Sequence, residues 1–400
     1  MHRLLILAFV LALASPARAQ LPDSLSQRAG ISLLTILPGD ALYSAFGHSA
    51  LRVSDPLTGF DAVFNYGTFD FEDPFFIPKF IYGKLDYFLS VTPFRYTIRA
   101  SEIQRRSVIE QTLDLSPRQA EAVYQFLRFN AQPENRGYRY DFLFDNCSTR
   151  PRDVLEKTLG EALRFAPKPN PHKSFRTLLD PYVADRPWLD FGFDLLLGAP
   201  TDRIATPREV MFLPEYLMEA FDYASVSRDG SVRDLVAHKD TLLWIEGRAP
   251  GQAAPPWPLL LFSGLFLVGL VRTGMSLHRG VLPESPLRTD VLLFSVAGFV
   301  GLFLLFMWLG TEHHVTKWNW NVLWLLPTHG AAAYALWRNA RVRWLRHYFR
   351  AGVVLPLVTF GGYFVAWPQA FHPAALPLML LLALRAGWIA RQLRTERAAA

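Results

Sequence analysis

The chain holds a single cysteine, Cys147, among its 400 residues. That scarcity excludes an internal disulfide framework and any cysteine-built metal cluster, and it leaves the reactivity of a lone thiol to be explained. No cysteine follows the early apolar run Leu4–Ala14, so anchoring of the chain through a lipidated cysteine of its own is excluded. The soluble portion lacks a basic face, so the formal net charge of +6 does not indicate a nucleic-acid partner. Neither a His-x3-His spacing nor a catalytic Glu motif is present. The adjacent His313 and His314 would point to different sides of a helix or strand, so no metal and no cofactor is expected. There is no internal repeat.

What is abundant is apolar surface, at 51% of residues, and it is unevenly spread. Residues 1–20 read as a secretory signal, with Arg3, a short apolar run and the small-x-small site Ala17-Arg-Ala19. After the Pro/Ala linker at 251–256 come five apolar runs at 257–276, 290–310, 320–337, 351–367 and 374–390. Each is near the roughly 20 residues needed to cross a hydrocarbon core. The segments between alternate runs hold Arg272, Arg279 and Arg288, then Arg338, Arg341, Arg343, Arg346 and Arg350, then Arg391, Arg394 and Arg397. The opposite loops hold only Lys317. The positive-inside rule and the signal therefore agree on a multi-pass protein of the bacterial cytoplasmic (inner) membrane, with its N-terminal domain on the periplasmic side. Trp257, Trp318, Trp320 and Trp367 fall at the outer ends, where an aromatic belt belongs.

The expected domains are a Cys-His domain at 21–165, a mixed, proline-punctuated appendage at 166–250 and a membrane region at 257–400. Strands are expected at 31–37, 48–53, 62–66 and 108–115, separated by turn residues such as Pro38-Gly-Asp40. A helix should begin at Ser116 with Pro117 in its first position, and another at Asp145 or Asn146. Strands and helices in separate runs make this an α+β domain.

Cys147 opens that second helix, where the helix dipole and an imidazole would both favour the thiolate. The best-placed imidazole is His48, at the mouth of a strand in Gly47-His-Ser49. A small buried thiol with no chemistry is the competing reading of Cys147. By register, Asn65 on the following strand is the candidate to orient His48, with Asp55 behind it. Arg150 and Arg152, just past the thiol, would steady an anionic headgroup or raise the thiolate population, or else simply face water. The aromatic segment Phe69–Phe88 would dip into a bilayer, line an acyl channel or fill the core. His313 and His314 suit a headgroup contact or a docking point for the soluble domain. His329, after Pro327, is a polar residue at membrane depth without an assigned role.

Ala45-Phe-Gly-His-Ser-Ala50, Phe64-Asn-Tyr-Gly67 and Tyr140-Asp-Phe-Leu-Phe-Asp-Asn-Cys-Ser-Thr-Arg150 resemble the circularly permuted papain-like arrangement, in which His precedes an Asn-Cys pair that opens a helix. More narrowly, with Gly310–Pro327, the chain resembles the bacterial lipoprotein N-acyltransferase Lnb and its relatives. The resemblance implies a permuted papain-like domain with an appended segment, followed by an α-helical transmembrane bundle. It also implies an activity: transfer of an acyl chain from the diacylglycerol of a lipoprotein to its N-terminal amine, giving a lyso-form product. Carried onto this sequence, Cys147 would be the nucleophile and His48 its base, with Asn65 as the third member. Asn146, Arg150, His313 and His314 are the candidate substrate-binding residues. The implied partners are a diacylated lipoprotein and membrane lipid. Two other readings stay open: a Cys-His hydrolase of peptidoglycan peptides or lipid esters, and a non-catalytic envelope sensor or assembly protein.

Overall fold

In β1 (Gly30–Ile36) both faces carry buried apolar residues, which marks a central strand. Ile31 and Leu33 enter one core, and Leu34 and Ile36 the other. β2 (His48–Asp55), β3 (Phe60–Thr68), β4 (Asp86–Pro93) and β5 (Val108–Leu113) surround it, with the short β6 (Gly137–Arg139) at one edge. With β10 (Val236–Leu243) at the other edge they form a seven-stranded antiparallel sheet in the order β10-β5-β1-β2-β3-β4-β6. This computed structural model describes residues 21–395 except 70–73, 85, 167–172, 247–253, 280–287, 339–341 and 366. The expected signal at 1–20, half of the expected linker and part of the aromatic segment lie outside the described residues.

One face of the sheet is covered by α3 (Pro117–Asn130) and α4 (Thr149–Leu159), through Val123, Tyr124, Leu127, Val154 and Leu155. Ser116 caps α3 in a reciprocal capping box with Gln119, as its sequence position requires. The other face meets α2 (Phe94–Ile103) through Phe94 and Ile98. Between β3 and β4 the chain leaves the sheet and forms α1 (Phe76–Tyr82).

The stretch 166–250 is woven into the fold. It supplies β10 to the sheet edge, and α7 (Pro214–Asp222) adds Leu217 and Phe221 to the helix-side core. The small sheet β7 (Leu163–Arg164), β8 (Ser225–Arg228) and β9 (Ser231–Asp234) lies alongside. α5 (Phe175–Leu179) and α6 (Pro187–Leu196) face the membrane region. Buried Arg176 fixes them: it bonds Asp194 at 2.7 Å, Asp202 at 2.8 and 3.0 Å, and the Leu197 carbonyl at 3.0 Å.

Helices follow at α8 (Trp257–His278), α9 (Arg288–Leu309), α10 (His329–Trp337), α11 (Arg343–Gly362) and α12 (Ala375–Thr395). Among the described residues, three are long and apolar enough to cross a membrane: Trp257–His278, Arg288–Leu309 and Ala375–Leu393. The expected third run, 320–337, is not one helix. Asn319 caps a short turn at Trp320–Leu323, and Pro327, which lacks an N–H, precedes the nine-residue α10. The fourth run enters the longer α11, whose arginine-rich start and internal Pro356 set it apart from the other three.

The loop after α9 locks the two halves together. The Gly198 N–H donates to the Val315 carbonyl at 2.8 Å, and Asn319 Nδ2 donates to the Leu195 and Leu196 carbonyls at 2.9 and 3.0 Å. A Cβ at Gly198 would fall 1.8 Å from the Lys317 carbonyl oxygen, so only glycine allows this approach. Lys317 itself caps the end of α9, donating to the Trp308 and Thr311 carbonyls at 2.6 and 2.5 Å.

Candidate functional site

His48 is the first residue of β2, and Cys147 lies in the turn that leads into α4. Both are half-buried, and each stands close enough to shift the other's titration. In antiparallel pairing, directly opposed residues share a face, so the register Leu51↔Phe64 puts Asn65 diagonal to His48 on the same side. The contact is made: His48 Nε2 lies 2.5 Å from Asn65 Oδ1, which leaves Nδ1 for the thiol. Asn65 Nδ2 in turn donates to Thr68 Oγ1 at 3.3 Å, and that hydroxyl bonds Ser90 at 2.6 Å. Asp55, the runner-up, is at the far end of β2, roughly 23 Å away at strand rise. It binds Ser26 through the backbone N–H at 2.8 Å and the hydroxyl at 2.6 Å, holding the N-terminal segment instead.

The electrostatics favour an ion pair. Burial opposes the thiolate, but the charge and hydrogen bond of His48, the Ser49 N–H and the Ser148 hydroxyl outweigh it, so the Cys147 pKa falls below the ordinary thiol value. Burial likewise opposes the imidazolium. Cys147 and Asn65 overcome it and hold His48 above its ordinary value, with Arg106 acting against them. Tyr87, Tyr138 and Tyr140 stand around the thiol, and burial followed by the charge of Cys147 raises all three phenols, Tyr87 to about 12. They therefore remain hydroxyl donors at neutral pH.

Two contributors were not singled out as site residues from the sequence. Gly67 has φ +95°, and a Cβ there would lie 3.3 Å from Cys147 Cβ and 3.6 Å from His48 Cε1. It sits at an irregularity of the β3–β4 pairing between Asn65 and Thr68, where a bulge re-aims the strand toward the thiol. Arg106 is buried and, among the described residues, bonds only neutral oxygens: the Leu37 carbonyl at 2.9 Å, the Gln104 side chain at 3.2 Å and the Ile36 carbonyl at 3.3 Å. Burial first, offset in part by Cys147 and Tyr43, brings its pKa down to about 10. Phe64-Asn-Tyr-Gly67 was visible as a motif, but nothing near Arg106 in sequence hints at the thiol.

The candidate substrate-binding residues are placed differently from expectation. Asn146 is buried with its amide fully engaged. Nδ2 donates to the Phe142 and Phe212 carbonyls at 2.8 and 3.0 Å, and Oδ1 accepts from the Ser148 and Thr149 N–H groups at 2.8 and 3.0 Å. With two donors and two lone pairs occupied, it holds the cysteine turn and has no group to offer a ligand. Arg150 is paired with Asp145 and lies 4.0 Å over the Tyr138 ring. Arg152 is buried against Asp153 and the Arg208 carbonyl. His313 and His314 sit at the junction of the halves: His313 Nε2 donates to the Phe80 carbonyl at 2.8 Å, and His314 packs on Phe144 at 5.5 Å. These contacts join the soluble domain to the loop after α9. His329 is buried in the helical region, with Nδ1 accepting from Tyr348 at 2.8 Å.

Among the described residues, one group has a metal-compatible shape, Asp190, Asp194 and His372. There His372 Nδ1 accepts the Ala374 N–H at 3.0 Å, which leaves the ring proton on Nε2, directed at Asp190 at 3.4 Å. A ring in that tautomer cannot ligate through Nε2, and Arg176 already balances Asp194.

The site occupies the sheet end that faces the helices. Phe46, two residues before His48, packs on Phe193 of α6 at 5.8 Å, and Phe144, three before Cys147, meets His314. Fold and site thus define a membrane protein whose α+β domain sits outside the bilayer and carries a Cys–His–Asn cluster at its membrane-facing end. The Lnb N-terminal periplasmic domain profile matches residues 23–181, and the Lnb transmembrane domain profile matches residues 252–396. The chain belongs to the Lnb family, and is a lipoprotein-processing protein of the inner membrane with a periplasmic N-terminal domain. No curated protein and no solved structure matches the chain.

Proposed function

We propose that the protein is a thiol acyltransferase that moves an acyl chain of a lipoprotein's diacylglycerol onto the lipoprotein's own N-terminal amine. The Cys147 thiolate attacks the ester carbonyl, forming the C–S bond. The glycerol oxygen leaves as the C–O bond breaks and takes the proton held by His48. The amine then attacks the thioester, His48 accepts its proton, and thiolate is regenerated. Ester and amine have become alcohol and amide, with no net change in protons and no water consumed. Asn65 keeps the His48 ring aligned through both steps. With the Ser148 and Thr149 N–H groups taken by Asn146, the Cys147 N–H is the helix-terminal donor available to the oxyanion.

The observation that carries this reading is the location of the Cys147 thiol beside His48 at the membrane-facing end of the sheet, flanked by Phe46 and Phe144, which pack on elements bound to the helices. A peptide-cleaving site would need to open toward the wall instead. The deciding experiment incubates purified protein with a diacylated lipopeptide and locates the chains by mass spectrometry, with Cys147→Ala as control. Unchanged mass with one chain moved to the amine is expected. Release of free fatty acid would replace this reading with the hydrolase, and no Cys147-dependent change would remove both.

A further inference from the structure

α1 is seven residues long and carries more exposed apolar surface than a water-facing helix tolerates. Ile77 is 63% exposed, Phe80 48%, Ile81 41% and Tyr82 49%. Ile77, Phe80 and Ile81 stand at i, i+3 and i+4, so they form one face. The helix is tied to the outer end of α9: the Glu312 N–H donates to the Tyr82 carbonyl at 2.8 Å, and His313 bonds the Phe80 carbonyl. Tyr82 also packs edge-on against Phe306 at 5.8 Å. Phe306 lies three residues inside the span Arg288–Leu309, about 4.5 Å below its end at helical rise. On that side of α9, Phe299 and Phe303 are also exposed, so the apolar face of α1 continues the lipid-facing stripe of a membrane helix.

The same excursion runs directly into the site. β3 brings Asn65 and Gly67 to the dyad before the chain descends to α1. Five residues after Tyr82, at most about 17 Å of chain, Tyr87 stacks on Tyr140 at 4.4 Å beside the thiol.

We propose that α1 is immersed in the outer leaflet and forms the surface along which an acyl lipid passes from the bilayer to Cys147. The immersion stands on the contacts with α9 alone. The passage rests on the proposed acyl transfer and names its substrate class as a bilayer-resident acyl chain. The occupant of the exposed face is lipid, because that face is continuous with the lipid-facing surface of α9.

The test uses the full chain in lipid nanodiscs. Cys147→Ala removes the sole cysteine, so Ile77→Cys, Ile81→Cys and, as a water-facing control on β9, Val232→Cys each take one fluorophore. Labels at 77 and 81 should be quenched several-fold more by lipids spin-labelled on the acyl chain than the label at 232, and several-fold less by iodide. Iodide quenching equal to that at 232 would overturn the immersion. So would a lipid-insensitive signal that appears only when two copies share a disc, which would assign the face to a second copy. In chains that retain Cys147, Ile77→Lys/Ile81→Lys should slow acyl-thioester formation from a diacylated lipopeptide embedded in the bilayer at least tenfold while iodoacetamide alkylates Cys147 at the unaltered rate. Equal thioester formation would overturn the passage. Because quenching is read without turnover, immersion and acyl transfer can fail separately.

Discussion

A thiolate beside an imidazolium exists only between two proton losses, and both shifts here act in its favour, the thiol's downward and the imidazole's upward. The lowered Cys147 pKa opens the window below the ordinary thiol value, and the raised His48 pKa closes it above the ordinary imidazole value. Iodoacetamide alkylation of Cys147 should therefore titrate at a pH below that of a free thiol, and His48→Ala should move the midpoint upward. An unmoved midpoint would separate the two residues. Gly67→Ala places a methyl 3.3 Å from Cys147 Cβ at a positive φ. It should lower acyl-thioester formation on the order of tenfold to a hundredfold while the protein still folds, as read by stopped-flow mass spectrometry and circular dichroism. His48, Asn65 and Cys147 were legible because motif and strand parity each act over a few residues. Arg106 was not, because its nearness to the dyad is made by carbonyls 69 and 70 residues away.

At the scale of elements, the cysteine turn depends on one amide. Asn146→Ala would leave two carbonyls and two N–H groups without partners, a loss of roughly 2–4 kcal/mol, seen as a lower unfolding midpoint in chemical denaturation. The acidic end of α5 gives a pH signature. Burial first, then Asp194 and Asp190, pushes the Asp180 carboxyl up to about 7. The folded state holds this proton after the unfolded chain has released it, so stability falls as pH rises from about 4 to about 7. Asp180→Asn should flatten that limb of a thermal-melt profile; an identical slope would refute the assignment. Strands β1, β2, β3 and β5 and helix α3 were readable from apolar alternation and from Ser116-Pro117. β10 was not, since five consecutive residues of it are exposed at a sheet edge and show no period. The run 320–337 reads as one helix because hydropathy does not register Pro327, which breaks it, or Asn319, which caps the short turn at its start.

Across the whole molecule, three helices meet at one buried charge pair. Arg385 of α12 grips Asp290 of α9 through two bonds of 2.7 Å and donates to Thr273 of α8 at 2.6 Å. Asp290→Ala strands the cation and should cost about 3–5 kcal/mol, while Asp290→Ala/Arg385→Leu should recover much of it; detergent-phase thermal shift reads both. The sequence exposed the division into a soluble part and a helical part through charge and hydropathy. It hid the lock between them, which consists of backbone carbonyls, one glycine and the Asn319 amide.

That lock makes the protein a depth gauge. With the Gly198 N–H on the Val315 carbonyl and Asn319 on residues 195 and 196, direct contacts set the distance between the thiol and the membrane helices. Under the proposed acyl transfer, the substrate bond that reaches the thiol's plane would be chosen by its elevation, whatever its headgroup. Lengthening the tether at 251–253 by several glycines should then leave the choice of chain unchanged, whereas Gly198→Val should blur it.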